Sequence, residues 1–127
     1  MKKTTSRIGL EAEERTAAFL QEHGYEILAR QYRCRGGELD LVAVKKGRRP
    51  EEHHLTFVEV KYRRTRDWGE PWEAVDYHKR CCISRAAGQF LQENPWKGSL
   101  SFDIAEVCGE NMERIRYHRN AFCPPGW

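Results

Sequence analysis

The chain has 127 residues, 39% hydrophobic and 32% charged, with four Trp, five Tyr and five Phe. That suffices for one domain, 1–127, with one core, and excludes the disordered class. The net charge of +3, from 22 basic and 19 acidic residues, does not by itself mark a nucleic-acid binder. Acids concentrate early, at Glu11, Glu13, Glu14, Glu22 and Glu26, while bases gather at 45–49, 61–66 and 114–119, so a basic surface can form on a nearly neutral protein. Five cysteines without a CxxC pair read as reduced thiols. Lys2, Lys3 and the polar residues after them do not form a secretory signal, and no run approaches the ~20 apolar residues of a membrane span. A cytoplasmic protein is expected.

Taken in chain order, a first helix is predicted from a cap at Thr5 or Ser6 to His23, with Ile8, Ala12, Phe19 and Leu20 near one face and Gly24 ending it. Residues 25–32 alternate moderately, Arg35, Gly36 and Gly37 make a turn, and 38–44 (ELDLVAV) is a strand. Residues 45–54 form an exposed hairpin loop leading into a β-branched and aromatic strand at 55–62 (LTFVEVKY), antiparallel to the one before. After an irregular stretch, 63–71, a second helix fits from about Ala74 to Leu91, before Asn94 and Pro95. Two strands, 100–108 and 112–118, flank a turn at 109–111. The order implies an α/β domain with a mixed central sheet flanked by helices.

Alternation along a strand puts Phe57, Glu59 and Lys61 on one side, and likewise Glu38, Asp40 and Val42. If the register brings Asp40 near Glu59, acidic and basic groups converge on one sheet face. Two carboxylates suit a hard divalent cation, Mg²⁺ or Mn²⁺, which keeps positions for water and phosphate. Such an ion can polarise a phosphoryl oxygen and stabilise a departing oxyanion. Lys61 could then hold the attacking water and offset developing charge, an ammonium buried beside carboxylates being otherwise hard to justify. The alternative is a salt-bridged patch on a solvated sheet face. Glu13 could face inward from the first helix or stand in solvent.

Several motifs occur in order: Gly9-Leu-Glu-Ala-Glu13, Gly24-Tyr25, Gly37-Glu-Leu-Asp-Leu41, Phe57-Val-Glu-Val-Lys61, Ala74-Val75 with Lys79, Phe102-Asp103 and Asn120-Ala-Phe122. Together they resemble the pattern of the bacterial YraN family over almost the whole chain. That family is placed in the PD-(D/E)xK nuclease superfamily, near the archaeal Holliday-junction resolvases. The resemblance implies a restriction-endonuclease-like fold, with Asp40 and Glu59 as metal ligands, Lys61 as the catalytic lysine and Glu13 as an additional acid and metal ligand. Glu38 and Lys79 match further motifs. The chain departs from the commoner pattern at Ala12 (glycine), Gln31 (asparagine) and Ser101 (a basic residue).

Arg63, Arg64 and Arg66 follow the proposed catalytic strand and, with Lys79, are the expected contacts to nucleic-acid phosphate. Arg114, Arg116 and His118 read instead as a solvated strand face. The expected function is metal-dependent hydrolysis of DNA phosphodiester bonds, including branched or junction structures, for which a two-fold homodimer is attractive. The rival is a non-catalytic nucleic-acid-binding module that retains the fold.

Overall fold

A computed structural model describes residues 7–65 and 70–127. The expected caps Thr5 and Ser6, and Arg66, lie outside the described residues. Helix α1 (Arg7–Glu22) precedes strands β1 (Glu26–Cys34), β2 (Gly37–Lys45) and β3 (His54–Arg63). Helix α2 (Tyr77–Glu93) and strands β4 (Ser99–Cys108) and β5 (Arg114–His118) complete the chain. Short 3-10 turns at Pro50–Glu52 and Pro71–Ala74 occupy the connections before β3 and α2. Helix α2 begins three residues later than Ala74, because the Asp76 carboxylate caps it by accepting from the Lys79 amide at 2.8 Å.

The five strands form one mixed sheet in the order β1-β2-β3-β4-β5. β3 is its centre, antiparallel to β2 and parallel to β4. Each helix covers one face. Ala17 and Leu20 of α1 bury against Leu41, Ala43, Val58 and Ala105, whereas Ile83, Ala86, Ala87 and Phe90 of α2 bury against Leu39, Val42, Phe57 and Ile104. The single α/β domain is consistent with a nuclease-like fold. Gly37 permits the α2 contact: a Cβ there would lie 2.6 Å from the Cys82 carbonyl oxygen and 2.7 Å from the Ala86 nitrogen.

Two irregularities shape the sheet around Asp40. Leu39 joins the α2-side core and Leu41 the α1-side core, although they are two residues apart. The alternation therefore slips across Asp40, which corrects the expectation that Glu38, Asp40 and Val42 share a face. In β1, Gln31 falls opposite Asp40 by the register on either side, and its backbone is left-handed, with φ 48. The register also shifts between Ile27 and Ala29, a bulge in this edge strand.

Asp103 of β4, 1% exposed, ties the chain's end to the sheet. Thr56 and Tyr117 hydroxyls donate to its Oδ2 at 2.5 and 2.6 Å, while Ser101 Oγ and the Asn120 amide donate to Oδ1 at 2.9 and 2.8 Å. The next amide, Ala121, donates to the Phe102 carbonyl at 2.8 Å, and Phe122 packs on Phe102. The distant motifs Phe102-Asp103 and Asn120-Ala-Phe122 thus form one structural joint.

Candidate functional site

The β2–β3 ladder runs from Lys45 opposite His54 to Leu41 opposite Val58, and the register brings the next pair, Asp40 and Glu59, level. Beyond that point β2 pairs with β1 and β3 pairs with β4. Asp40 and Glu59 therefore stand at the fork where the two strands part. Asp40 closes the ladder with its side chain: Oδ2 accepts the Val60 amide at 2.8 Å, the place a backbone carbonyl would otherwise take.

Glu59 is 3% exposed, and among the described residues neither of its carboxylate oxygens has an aligned hydrogen-bond partner. Its counterion is Lys79 of α2, whose Nζ lies 3.2 Å from Oε1. Burial, then repulsion from Asp40, raises the Glu59 pKa well above the carboxylate range against the pull of Lys79. Asp40 is also raised by burial, opposed by the Val60 amide and by Lys79. Burial works against the Lys79 ammonium, but Glu59 and Asp40 outweigh it and raise its pKa.

Glu13 is 8% exposed on α1, with Oε1 accepting from Gln31 Nε2 at 3.1 Å. Burial and the Asp40 charge push its pKa up to about 7. The left-handed turn of Gln31 thus holds an amide against Glu13 opposite Asp40. Asparagine, which the resemblance leads one to expect at this position, tolerates that backbone better than glutamine. Glu13, Glu14, Arg30, Gln31 and Leu10 line an open cleft beside the fork.

Because the folded chain keeps a proton on Glu13 that the unfolded chain releases near pH 4.5, the contribution of Glu13 to stability is greatest below that pH and falls as pH rises towards 7. Glu13 alone accounts for up to about 3 kcal/mol of that fall. Glu13→Gln is expected to flatten the decline in urea midpoint between pH 5 and 8 relative to the parent. An unchanged slope would place Glu13 in solvent.

The other candidates are placed differently. Lys61 is exposed on β3, past the fork, and the ammonium that pairs with the carboxylates is that of Lys79, itself partly exposed, and not that of Lys61. Arg63, expected to contact nucleic acid, is engaged within the fold: Nε donates to Glu106 at 3.0 Å and Nη2 lies 3.6 Å from Glu73. Arg64 is exposed, 3.7 Å from Glu110. Arg116 and His118 are not merely solvated, since both also reach Glu106, which is fully buried. Glu106 itself escaped the sequence reading. Only the alternation of charged residues in β5 hinted at it, and nothing local tied that pattern to β4.

Burial would raise the Glu106 pKa, but hydrogen bonds from His118, Arg116 and Arg63 outweigh it and hold it below the ordinary value. Among the described residues no three His, Cys, Asp or Glu side chains converge as a preformed metal cluster. The site consists of the Asp40–Glu59 pair, with Glu13 nearby. A hard cation fits this pair: the donors are all oxygen, and two buried oxygens of Glu59 lack hydrogen bonds.

The fold and site define a small α/β domain with two adjacent carboxylates, buried Glu59 and part-buried Asp40, at the fork of a mixed sheet. Comparison with known proteins then gives the family. The chain belongs to the uncharacterised protein family UPF0102, whose profile matches residues 12–107. A UPF0102 protein of Pelobacter propionicus is 44% identical over 117 residues, covering 90% of this chain and 81% of its own length. One of Lachnoclostridium phytofermentans is 41% identical over 116 residues, covering 90% and 91%. Among the described residues no helix is long and apolar enough to cross a membrane.

Proposed function

We propose that this chain is a metal-dependent endonuclease of the PD-(D/E)xK type, acting in the cytoplasm on DNA and suited to branched or junction structures. The observation that carries the reading is the pairing at the fork of the part-buried Asp40 with the buried Glu59, whose oxygens have no aligned hydrogen bond and one ion pair, to Lys79. Asp40 and Glu59 would hold Mg²⁺ or Mn²⁺, with Glu13 near enough in charge to act on Asp40. The cation would supply Lewis-acid stabilisation of the phosphoryl oxygens and a more acidic water. Lys61, two residues past Glu59 on the same side of β3, would contact the scissile phosphate or the attacking water and offset charge in the transition state. Arg64 and, in the adjoining segment, Arg66 would meet the phosphate backbone. A two-fold homodimer would present two such sites to a junction.

A second reading has its own support. Lys79 already neutralises Glu59, which is what a non-catalytic nucleic-acid-binding module would need for stability. The Lys79 side chain is 45% exposed, however, so it reaches in from solvent and can be displaced by a cation.

The test is incubation of purified protein with labelled single-stranded, duplex, flap and four-way-junction DNA, with and without Mg²⁺ or Mn²⁺. Cleavage of at least one substrate only with metal is expected, and Lys61→Met should slow it by about a hundredfold or more. Inactivity on every substrate, with folding and DNA binding intact, would select the binding module.

A further inference from the structure

The parallel register sets His54, the first residue of β3, level with Ser99, the first of β4. Ser99, Ser101 and Asp103 share one side of β4, because Phe102 between them packs into the α2-side core. The His54 ring spans the two serines: Nδ1 lies 2.7 Å from Ser99 Oγ and Nε2 lies 2.8 Å from Ser101 Oγ. Ser101 Oγ in turn donates to Asp103 Oδ1 at 2.9 Å.

The buried end of this chain fixes the direction of its protons. Ser101 has a single hydroxyl proton and gives it to the Asp103 carboxylate, so towards His54 its oxygen accepts. A neutral His54 ring therefore carries its proton on Nε2 and leaves the Nδ1 lone pair for the Ser99 hydroxyl. Asp103 and Ser101 are buried, His54 is part-buried and Ser99 is exposed. A run of hydrogen bonds thus leads from a buried carboxylate, through an imidazole of defined tautomer, to a hydroxyl at the surface. That is the order of a base-activated serine, with Ser101 inserted between imidazole and carboxylate.

A backbone donor stands next to it. The Phe102 carbonyl accepts from Ala121 on the outer edge of β4, and by alternation the Leu100 amide faces the same edge. β5 pairs with β4 only from Ile104 onward, so that amide lies clear of the β5 ladder. The amide that follows a nucleophilic serine is one of the donors that hold the oxyanion in α/β-hydrolases.

We propose that Ser99 is a nucleophile for acyl transfer from carboxylic esters, with His54 as its base and with Ser101 and Asp103 positioning His54. Ser99 Oγ attacks the ester carbonyl carbon as its proton passes to Nδ1, and the Leu100 amide meets the oxyanion. Collapse breaks the bond to the alcohol oxygen, which leaves with the proton from Nδ1. Water, deprotonated by the same nitrogen, then releases the acid and restores the Ser99 hydroxyl. In each transfer the imidazolium Nε2–H is directed through Ser101 at the Asp103 charge, which stabilises it. Ser99 is exposed, so an ester reaches it without entering a cleft, and small esters are the expected substrates. His54 lies about 17 Å along β3 from Glu59, so this chemistry is separate from the fork and needs no cation.

The test is labelling of the full chain by a fluorescent fluorophosphonate in EDTA, with the modified residue located by peptide mass mapping. The parent should carry the phosphonyl group on Ser99, fluoride having left phosphorus, and on no other serine. His54→Gln should slow labelling by about a hundredfold. Ser101→Ala should slow it by about tenfold, and Ser101→Thr, which keeps the hydroxyl, should restore it. With p-nitrophenyl acetate the parent should release nitrophenolate in a burst that Ser99→Ala removes. No adduct on Ser99 in the folded parent overturns the site, whatever the variants do. Equal labelling of the parent and His54→Gln, or a burst that survives in Ser99→Ala, overturns it as well.

Discussion

Glu59→Gln is expected to stabilise the metal-free protein and to abolish its stabilisation by Mn²⁺. Folding forces the Glu59 carboxylate into a buried position beside Asp40, which raises its pKa. The folded chain therefore takes up a proton that the unfolded chain releases, and stability falls as pH rises from the ordinary carboxylate range through the raised pKa. Glutamine fills the same space and does not titrate. Lys79 returns part of what burial costs, so the gain near neutral pH should be about 1–2 kcal/mol. Lys79, once unpaired, is exposed enough to resolvate.

Metal changes the order of the variants. At a hundred times its dissociation constant the cation should add about 2.7 kcal/mol to the parent, and almost nothing to Glu59→Gln or Asp40→Asn. Cleavage should be lost in both. Lys79→Met should do the reverse, lowering apo stability because Glu59 is left without a cation, while enlarging the metal increment because no ammonium competes. Thermal unfolding against Mn²⁺ concentration, with cleavage assayed on the same samples, gives every quantity. Equal metal responses in the parent and both carboxylate variants would remove Asp40 and Glu59 from any cation site.

The second large effect is expected at Asp103, which takes no part in the proposed nuclease chemistry. Asp103→Ala would strip the partner from three hydroxyls and the Asn120 amide at once. Buried donors left unsatisfied cost about 1–3 kcal/mol each when they cannot reach water, and some relaxation is inevitable, so a loss of about 3–5 kcal/mol follows. Tyr117 is the most committed donor, since burial and the Asp103 charge push its pKa up and keep its proton in place. Thr56→Val, which removes one donor and leaves three, should cost only about 1 kcal/mol. Urea unfolding measures both. A loss below 1 kcal/mol for Asp103→Ala would mean that the network is replaced by water.

Much of this architecture was legible in the residues. The apolar spacing of α1 and α2 and the β-branched run at 55–62 marked their elements, and the loop at 45–54 joined β2 to β3 as an antiparallel pair. The level placement of Asp40 and Glu59 was open to sequence reasoning only as a condition on register, which β2 and β3 meet. Parity was less dependable: it assumes an unbroken pleat, and the slip across Asp40 breaks it.

What the sequence hid were long-range contacts. The parallel pairing of β3 with β4 depends on how α2 crosses the sheet, which no local periodicity records. Lys79 reaches Glu59 from a helix whose starting turn is fixed by Asp76, and Arg63 finds its carboxylate 43 residues away. Those two contacts exchanged the expected roles of three basic residues: Lys79 lies at the carboxylates, Lys61 in solvent and Arg63 inside an ion-pair network.

The bulge and the left-handed residue in β1 bear on how copies of this protein can meet. An edge strand offers unpaired amides and carbonyls as a template for any other strand, and a straight edge of nine residues would invite stacking of chain upon chain. Here the register shift between Ile27 and Ala29 and the turned backbone at Gln31 break the template into pieces too short to zip. Exposed Glu26, Arg30 and Arg33 add charge along the strand. Sheet extension along β1 is therefore a poor route to a dimer, and a symmetric pair would have to join through other surfaces, leaving the open cleft beside Glu13 accessible.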